Sequence, residues 1–566
     1  MHSKFSPKQF AHVWLNKILN DGLLAGMLML ESPGKQVIEH QQQFRRIVAK
    51  AKIAFSRGNF HSAIVWAQIA ARFAWERHPG FYCDPTLELL LTQIANNIDE
   101  RSMTSLLTTQ TLRTEKSSKK HVLHVITSYR GLGGHTLFVA AWIKNTLDTA
   151  VHSIVFTAQE GLLPPALESL ARASGGSCKR LEKFSSNLID RSLLLRHLGN
   201  WADLIVIHLH PFDALATVAF GVEGGPPVVL LNHADDVFWL GVSIADVVLD
   251  LHPAGQSQTL KRRGANTSRI LPIPLNKPLR ECSYEDARVQ LGIKPEKTVL
   301  LSVGRECKYL PLAGHDFLGI ISKIIKKHSN LLLLAAGPEN GGRWATASAM
   351  SAGRIIPMGW VDWSNLYLLY ASADIYLDSF PQGSGTSYLE AGLRAIPTIG
   401  LQFKDAPTLT EGTDDVAFGN LNQYSSSVEE YASLLEQMIA EPFRFRERAR
   451  NFSGLIEAHH IPPGWNRYLD DVIRKLPPKH VIRMPKILNS NIEPVNNLVA
   501  EWDAKVLGEE TVQQTYARIM SSYAIQLQKT EILQEQANNS LRGFLETKSI
   551  HEFGRFLYYF KEGLLA

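Results

Sequence analysis

Short apolar runs recur through the middle of the chain, and a stretch with helical periodicity follows most of them. Runs that are apolar on both faces are typical of buried parallel strands in alternating strand–helix units. The pattern predicts one sheet from HVLHVIT, HSIVFTA, DLIVIHLH, PVVLLNH, VVLDLHP and ILPIPL, and a second from TVLLSVG, LLLLAAG, RIIPMGW, ADIYLDS and PTIGL. We therefore expect an α/β fold with two doubly wound parallel sheets, joined near Pro272 to Pro278, and ligands at the carboxyl ends of the strands.

The two ends of the chain have a helical pattern instead. Residues 49–80 predict a helical hairpin with Gly58-Asn59 as its turn, and their small residues resemble one tetratricopeptide unit. A single copy cannot form a free-standing array, so we favour a helical module packed on its neighbour over a peptide-binding module. An apolar stripe near the other end is expected to be core or dimer surface, and it consists of Val512, Tyr516, Ile519, Tyr523 and Leu527.

These patterns divide the chain into four parts. Residues 1–118 form the helical module, 119–275 the first α/β domain, 276–465 the second, and 466–566 a helical C-terminal extension. The stretch from Thr104 to Lys120, rich in Ser, Thr and Lys, is interpreted as the linker after the module.

The composition is typical of a soluble protein of the cytosol. The 566 residues are 45% hydrophobic and 20% charged, with a net charge of +5 that is too weak to indicate nucleic-acid binding. No run approaches the roughly 18 apolar residues of a membrane span, and the polar start at Met1 to Lys4 is unlike a signal peptide. The four cysteines lie far apart, without metal-ligand spacing, and are expected to be reduced thiols.

The stretch from Ala373 to Leu401 has the pattern of a nucleotide site. Gly383 and Gly385 allow a ligand to approach the backbone closely, and a helix beginning near Thr386 directs unpaired N–H groups at the same loop. Such a helix start favours phosphate. Glu390, one turn further on, can accept hydrogen bonds from both hydroxyls of a ribose.

A second group of polar residues follows the strand TVLLSVG. Gly304-Arg305 ends that strand, and Lys308 comes shortly after it. When a sugar–phosphate bond breaks, negative charge grows on the diphosphate, and fixed cations directed at it stabilise the transition state more than the ground state. Arginine supplies a planar fork for phosphate oxygens and lysine a point charge.

Together these motifs resemble the nucleotide-sugar signature of GT-B glycosyltransferases, especially the retaining family 4. The resemblance extends from His121 to about Trp465 and implies a cleft between the two sheets, with a last helix after Trp465 that returns to the first domain. Glu390 matches the family's ribose-binding glutamate. Gln382 stands where the family has a glutamate that contacts the donor sugar, so the donor sugar stays open.

The first part of the loop after ADIYLDS resembles a second group of glycosyltransferases more than it resembles family 4. Asp378-Ser379-Phe380-Pro381 is more similar to bacterial protein glycosyltransferases related to O-GlcNAc transferase, which also have a helical module before a GT-B core. A protein acceptor is therefore an alternative to a glycan or a lipid.

The resemblance also implies roles in the first half. His233 matches a histidine that lines the donor-sugar pocket, and His210 is a weaker match to a second histidine of the cleft. Asp235 and Asp236 are a candidate base for an inverting enzyme, but we favour helix capping. The expected catalytic residues are His233, Arg305 and Lys308, and the expected donor-binding residues are Gly133, Gly134, Gly304, Gln382, Gly383, Ser384, Gly385, Thr386 and Glu390.

The sequence thus predicts a cytosolic hexosyltransferase that uses a nucleotide-sugar donor and retains the anomeric configuration, without a metal or other cofactor. Two alternatives are a GT-B nucleotide-sugar epimerase and a non-catalytic nucleotide-binding scaffold. Peripheral membrane association and a homo-oligomer built through the helical ends are compatible with the sequence.

Overall fold

The computed structural model describes residues 35–100, 118–129, 134–277, 282–402, 414–418, 424–486, 494–508 and 510–527, with residues 531, 532, 535, 536 and 555. The expected linker lies almost wholly outside these ranges, as does Gly133. All four cysteines are described, and they are free.

Within residues 35–100, the N-terminal module has three helices, α1 (Lys35–Ser56), α2 (Phe60–Glu76) and α3 (Pro85–Asn97). Gly58 turns the chain between α1 and α2 with a φ of 73°, and the Asn59 side chain caps α2 by accepting the N–H of Ser62. The hairpin predicted from the sequence is therefore confirmed. Most of α2 is buried, because neighbouring helices cover it.

The first sheet has seven parallel strands in the order β3-β2-β1-β4-β5-β6-β7. Five of the six predicted strands are present, but the prediction for ILPIPL is wrong, because β7 ends at Ile270 and the next residues are not in a strand. The short β3 was not predicted, because its three residues are half-buried and form no apolar run. The strands are β1 (Lys120–Ile126), β2 (Ala150–Phe156), β3 (Cys178–Arg180), β4 (Leu204–His208), β5 (Val228–Leu231), β6 (Val247–Asp250) and β7 (Ser268–Ile270).

Five helices connect these strands. They are α4 (Gly134–Thr146), α5 (Pro165–Ala173), α6 (Leu188–Gly199), α7 (Leu215–Ala219) and α8 (Pro253–Lys261). One face of the sheet shares its core with the N-terminal module, and Phe138 and Trp142 of α4 pack on the other face.

The second sheet has six parallel strands in the order β10-β9-β8-β11-β12-β13. Its five predicted strands are confirmed, and only the two-residue β13 was missed. The strands are β8 (Thr298–Val303), β9 (Leu331–Ala336), β10 (Ile355–Pro357), β11 (Ile375–Leu377), β12 (Thr398–Leu401) and β13 (Tyr424–Ser425).

The helices of this half cover both faces of its sheet. They are α9 (Tyr284–Gln290), α10 (Phe317–Lys327), α11 (Gly342–Met350), α12 (Trp363–Ser372), α13 (Gly385–Leu393), α14 (Val428–Ala440) and α15 (Pro442–His460).

A returning helix, α16 (Gly464–Arg474), joins the two halves a second time. Its fully buried Trp465 packs near Phe138 and Trp142 and donates its indole N–H to the carbonyl of Pro272, 2.7 Å away. The predicted return to the first domain is thus confirmed. Two parallel-sheet α/β domains with this crossing helix have the expected GT-B architecture.

The described part of the C-terminal extension has two helices, α17 (Pro494–Leu507) and α18 (Val512–Tyr523). The predicted apolar stripe lies in the same core as the N-terminal module, so it is core rather than dimer surface. In α17, Trp502 packs on Leu312, and Asp503 accepts the backbone N–H of His78 at 2.8 Å. Helix α17 therefore contacts both the second domain and the N-terminal module. None of the described helices combines the length and apolar character needed to cross a bilayer.

Candidate functional site at the carboxyl edge of the second sheet

The ends of β8 and β11 approach each other closely at Gly304. A Cβ atom on Gly304 would lie 2.8 Å from the hydroxyl of Ser384 and 3.2 Å from that of Tyr309. Any larger residue would therefore push the two loops apart. The sequence placed Gly304 at this edge, and the structure brings it into contact with the loop after β11.

Asp378 organises that loop. One carboxylate oxygen accepts the N–H groups of Ser379 and Ser384, each at 2.9 Å, and the other accepts the hydroxyl of Tyr424, also at 2.9 Å. Burial raises the pKa of Asp378 to about 6, although these hydrogen bonds and Lys308 act in the opposite direction. The sequence analysis noted Asp378 only as a departure from a family pattern. Its place directly after a buried strand was the signal for a structural role.

Helix α13 begins at Gly385 with its N-terminus open. Ser384 precedes the helix without a side-chain cap, since its hydroxyl lies 2.8 Å from that of Ser379. The first N–H groups of an α-helix have no acceptor inside the helix. Those of Gly385 and Thr386 are therefore in position to bind an anion, as expected from the sequence.

The two predicted cations differ in their contacts. Lys308 lies on the 3₁₀ turn Glu306–Tyr309 and donates a hydrogen bond to the carbonyl of Gly383, so it ties this turn to the loop before α13. Arg305 is exposed, and its side chain has no hydrogen-bond or ion-pair partner among the described residues, although its backbone carbonyl accepts the N–H of Lys308. Arg305 is therefore the cation that can reach a ligand without breaking a contact.

Glu390 is buried one turn into α13, with 8% of its surface exposed. Its carboxylate accepts the hydroxyl of Tyr370 at 3.2 Å, and Arg394 lies over the Tyr370 ring, 4.6 Å from its centre. Burial raises the pKa of Glu390 to about 7, against the attraction of Arg394. A carboxyl group that changes charge near neutral pH is well suited to respond to a ligand that donates hydrogen bonds.

Gln382 connects the two halves of the molecule. Its side-chain amide donates to a carboxylate oxygen of Asp236 at 3.2 Å. The sequence placed Gln382 beside a donor sugar but did not predict this contact. Asp236 therefore belongs to the wall of the cleft.

The expectation that Asp235 caps the next helix is wrong. The following helical turn, Val242–Ile244, has Gly241 as its N-cap and no side-chain cap. Asp235 instead pairs with His252 at 2.6 Å, and the other ring nitrogen of His252 lies 2.8 Å from Asp414 of the second half. Burial alone would lower the pKa of His252, but the two carboxylates hold it well above its ordinary value. This charged pair also links the two halves.

His233 follows β5 and packs between two rings. The Phe138 ring meets it edge-on at 5.8 Å, and the His208 ring lies at the same centre-to-centre distance on another side. His210 is placed by its backbone N–H, which donates to the Thr127 hydroxyl at 2.9 Å. Gly134 is the first residue of α4. The structure thus puts His233 beside the first sheet's strand ends, apart from the cluster at Gly304.

Within the described ranges, no group of three or more His, Cys, Asp and Glu side chains is arranged to hold a metal ion.

Searches against family models and curated proteins found no match to this chain. Among solved structures, a mutant O-GlcNAc transferase of Thermobaculum terrenum is 16% identical with a TM-score of 0.46, over 78% of this chain and 84% of that one. A glycosyltransferase of Rickettsia africae is 11% identical with a TM-score of 0.49, over 63% of this chain and 99% of that one. A sucrose-phosphate synthase of Thermosynechococcus elongatus is 14% identical with a TM-score of 0.45, over 63% of this chain and 99% of that one.

Proposed function

We propose that this protein is a glycosyltransferase that transfers a hexosyl group from a nucleotide-sugar donor to an acceptor hydroxyl. The observation that carries the proposal is the convergence at one sheet edge of an exposed arginine, an uncapped helix start and a buried glutamate. Arg305 and the N-terminus of α13 suit a diphosphate, and Glu390 suits the two hydroxyls of a ribose. The start of α13 and Glu390 lie on one helix, and Arg305 follows Gly304, which contacts the loop before that helix.

The proposed chemistry places the growing charge beside the fixed cation. The bond between the anomeric carbon and the diphosphate oxygen breaks, and its electron pair leaves with the diphosphate. The acceptor hydroxyl oxygen then bonds to the anomeric carbon. Its proton passes to the departing phosphate in a retaining reaction, so no protein base is required. Arg305 and the helix N–H groups stabilise the leaving charge.

The remaining residues would hold the sugar and shape the cleft. His233 lies at the edge of the first sheet, where a donor sugar between the two halves would be in reach, and Gln382 approaches from the second half. Lys308 and Gly304 would keep the diphosphate loop in place, because both contact that loop directly. Glycan, lipid and protein hydroxyls are all acceptors of the required chemistry. We place the reaction in the cytoplasm, consistent with free thiols at all four cysteines.

A panel of nucleotide sugars tests the proposal. The purified full chain is incubated with each donor, with and without pooled glycan, lipid and peptide acceptors, and the release of nucleoside diphosphate is measured. We expect at least one donor to release its nucleotide, and faster when acceptor is present. Interconversion of sugars without nucleotide release would instead identify an epimerase. Nucleotide binding without any conversion would identify a scaffold. Either result would reject the transferase.

A further inference from the structure

A buried histidine lies between two carboxylates that come from opposite halves of the molecule. His252 follows β6 at the carboxyl edge of the first sheet, and 6% of its surface is exposed. Its Nε2 atom lies 2.6 Å from Asp235 Oδ2 of the first half, and its Nδ1 atom lies 2.8 Å from Asp414 Oδ1 of the second half. His252 therefore has one carboxylate partner in each half.

Both ring nitrogens of His252 donate in this arrangement. A carboxylate accepts hydrogen bonds and donates none, so a ring with a carboxylate at each nitrogen carries two protons and a positive charge. The backbone N–H of Gly255 is farther from Nδ1, at 3.5 Å, and is only a weak competitor for that nitrogen. Burial alone would raise the pKa of Asp235, but His252 and Arg263 hold it below its ordinary value. The contact between His252 and Asp414 is therefore an ion pair.

The first half holds its side of this ion pair in a fixed position. Asp235 accepts the side-chain amide of Asn232 at 2.8 Å, and a Cβ atom on Gly255 would lie 2.7 Å from the Asp235 carboxylate. A side chain at position 255 would therefore displace that carboxylate from the start of α8. The His252 carbonyl accepts the N–H of Gln256 at 3.1 Å in the same helix. His252 is thus held through its backbone as well as through Asp235.

The second half holds Asp414 through the next residue. Asp415 Oδ1 lies 2.8 Å from His460 Nε2, and His460 Nδ1 lies 2.8 Å from the carbonyl of Ile273. His460 ends α15, just before the returning helix, and Ile273 lies in the connection between the two sheets. Both connections between the halves therefore meet at Asp415, and Asp414 reaches from that point to the first half.

The loop that receives this contact also forms part of the cleft. Asp235 is followed by Asp236, whose carboxylate accepts the side-chain amide of Gln382 at 3.2 Å. One loop of the first half is thus tied to the second half twice, through His252 to Asp414 and directly to the loop before α13. The distance between His252 and Asp414 therefore depends on how the two walls of the cleft are placed.

We propose that the His252–Asp414 ion pair sets the placement of the two halves in which a nucleotide sugar meets both walls of the cleft. Resting on the proposed function, Asp235, His252 and Asp414 are positioning residues for the donor sugar. The nucleoside diphosphate would use Arg305, the start of α13 and Glu390, all of which belong to the second half. Loss of the ion pair should therefore impair use of the sugar donor and leave binding of the diphosphate intact. A residue that only stabilises the fold would not produce this difference.

Asp414→Ala tests the proposal, because the Asp414 side chain is 35% exposed and its removal leaves His252 paired with Asp235. We expect kcat/KM for an accepted nucleotide sugar to fall about tenfold, between the small effect of losing a surface ion pair and the large effect of breaking a buried one. The dissociation constant of the nucleoside diphosphate should change less than about twofold. Asp414→Glu keeps the charge and should recover most of the loss. Equal losses of donor use and diphosphate binding in Asp414→Ala would overturn the proposal.

Glu436→Ala is the matched control. The Glu436 side chain is 39% exposed and pairs with Lys327 at 2.7 Å, but both residues belong to the second half. Its removal should leave kcat/KM unchanged. If Asp414→Ala loses no more kcat/KM than Glu436→Ala, the ion pair does not position the donor.

Small-angle X-ray scattering on the full chain tests the ion pair without any substrate. Asp414→Ala should have a larger radius of gyration than the wild type, and Glu436→Ala should not. An unchanged radius in Asp414→Ala would overturn the proposal even in an active enzyme. If the wild type transfers no sugar, the proposed function fails, while the scattering still decides whether the ion pair holds the two halves in place.

Discussion

The two sheets present different chemistry at their carboxyl edges. The first sheet buries three hydrogen-bonded imidazoles, those of His152, His124 and His208, and the ring of His233 lies 5.8 Å from the last of them. The second buries carboxyl groups, Asp378 and Glu390, and leaves Arg305 exposed. A neutral, hydrogen-bonded row can orient a ring without adding charge, whereas an exposed guanidinium beside an open helix start can bind an anion. We therefore expect a diphosphate to bind at the second sheet rather than at the first.

The largest expected effect belongs to the second sheet. Arg305→Ala should reduce kcat by about a hundredfold or more, the typical cost of removing one preorganised charge contact in a transition state. The midpoint of thermal unfolding should barely move, because Arg305 is exposed. Steady-state turnover with an accepted donor and a thermal melt measure the two quantities.

The control for Arg305→Ala is Arg446→Ala. Arg446 is also exposed, but it pairs with Asp374 at the beginning of β11, on the opposite edge of the same sheet. The Arg446→Ala variant should therefore keep normal turnover. Equal activity of both variants would contradict a role of Arg305 in binding the diphosphate.

Glu390→Gln should weaken nucleoside diphosphate binding about ten- to a hundredfold at about pH 8, because hydroxyls donate more strongly to a carboxylate than to an amide. Ribose binding favours the ionised form of a carboxyl group whose pKa is about 7. The affinity of the wild type, relative to the variant, should therefore rise from about pH 6 to about pH 8. The phosphate titrates in both proteins, so the ratio of the two dissociation constants isolates Glu390.

The same raised pKa predicts the pH dependence of stability without ligand. The folded Glu390 keeps its proton to higher pH than the unfolded chain, so its contribution to the free energy of unfolding falls as pH rises from 4.5 to about 7. Glu390→Gln should lack this decline. Urea unfolding of both proteins across that range measures it, and parallel curves would show that Glu390 is not the titrating group.

Gln382→Glu is expected to have a smaller effect, at the boundary between the two sheets. The new carboxylate would face Asp236, whose oxygen lies 3.2 Å from the present amide. Because Asp236 is buried, repulsion of roughly 1 kcal/mol or more should raise the donor KM about fivefold or more and alter the preference among sugars. Asp236→Asn in the same chain should reverse the change in KM. Unchanged kinetics in Gln382→Glu would show that the cleft does not depend on this contact.

The sequence predicted the second sheet's site better than the first's for a physical reason. Gly304 and Arg305 end one strand, and Gln382 to Glu390 form one loop and helix, so local spacing already places them. His124, His152 and His208 come from three strands and meet only through the register of β1 with its neighbours. Each of them alone resembles an ordinary core histidine. The same limit applies to His252 and Asp414, which are far apart in sequence and pair across the two halves.

The central claim is that the carboxyl edge of the second sheet binds a nucleoside diphosphate, and calorimetric titration tests it most directly. Uridine, guanosine and adenosine diphosphates are titrated into the wild type and into an Arg305→Ala, Glu390→Gln double variant. We predict that at least one of them binds the wild type at one site per chain. The double variant should bind it at least about a hundredfold more weakly while still unfolding in one cooperative thermal transition. Binding of equal strength to both proteins, or no binding to the wild type, would contradict the claim.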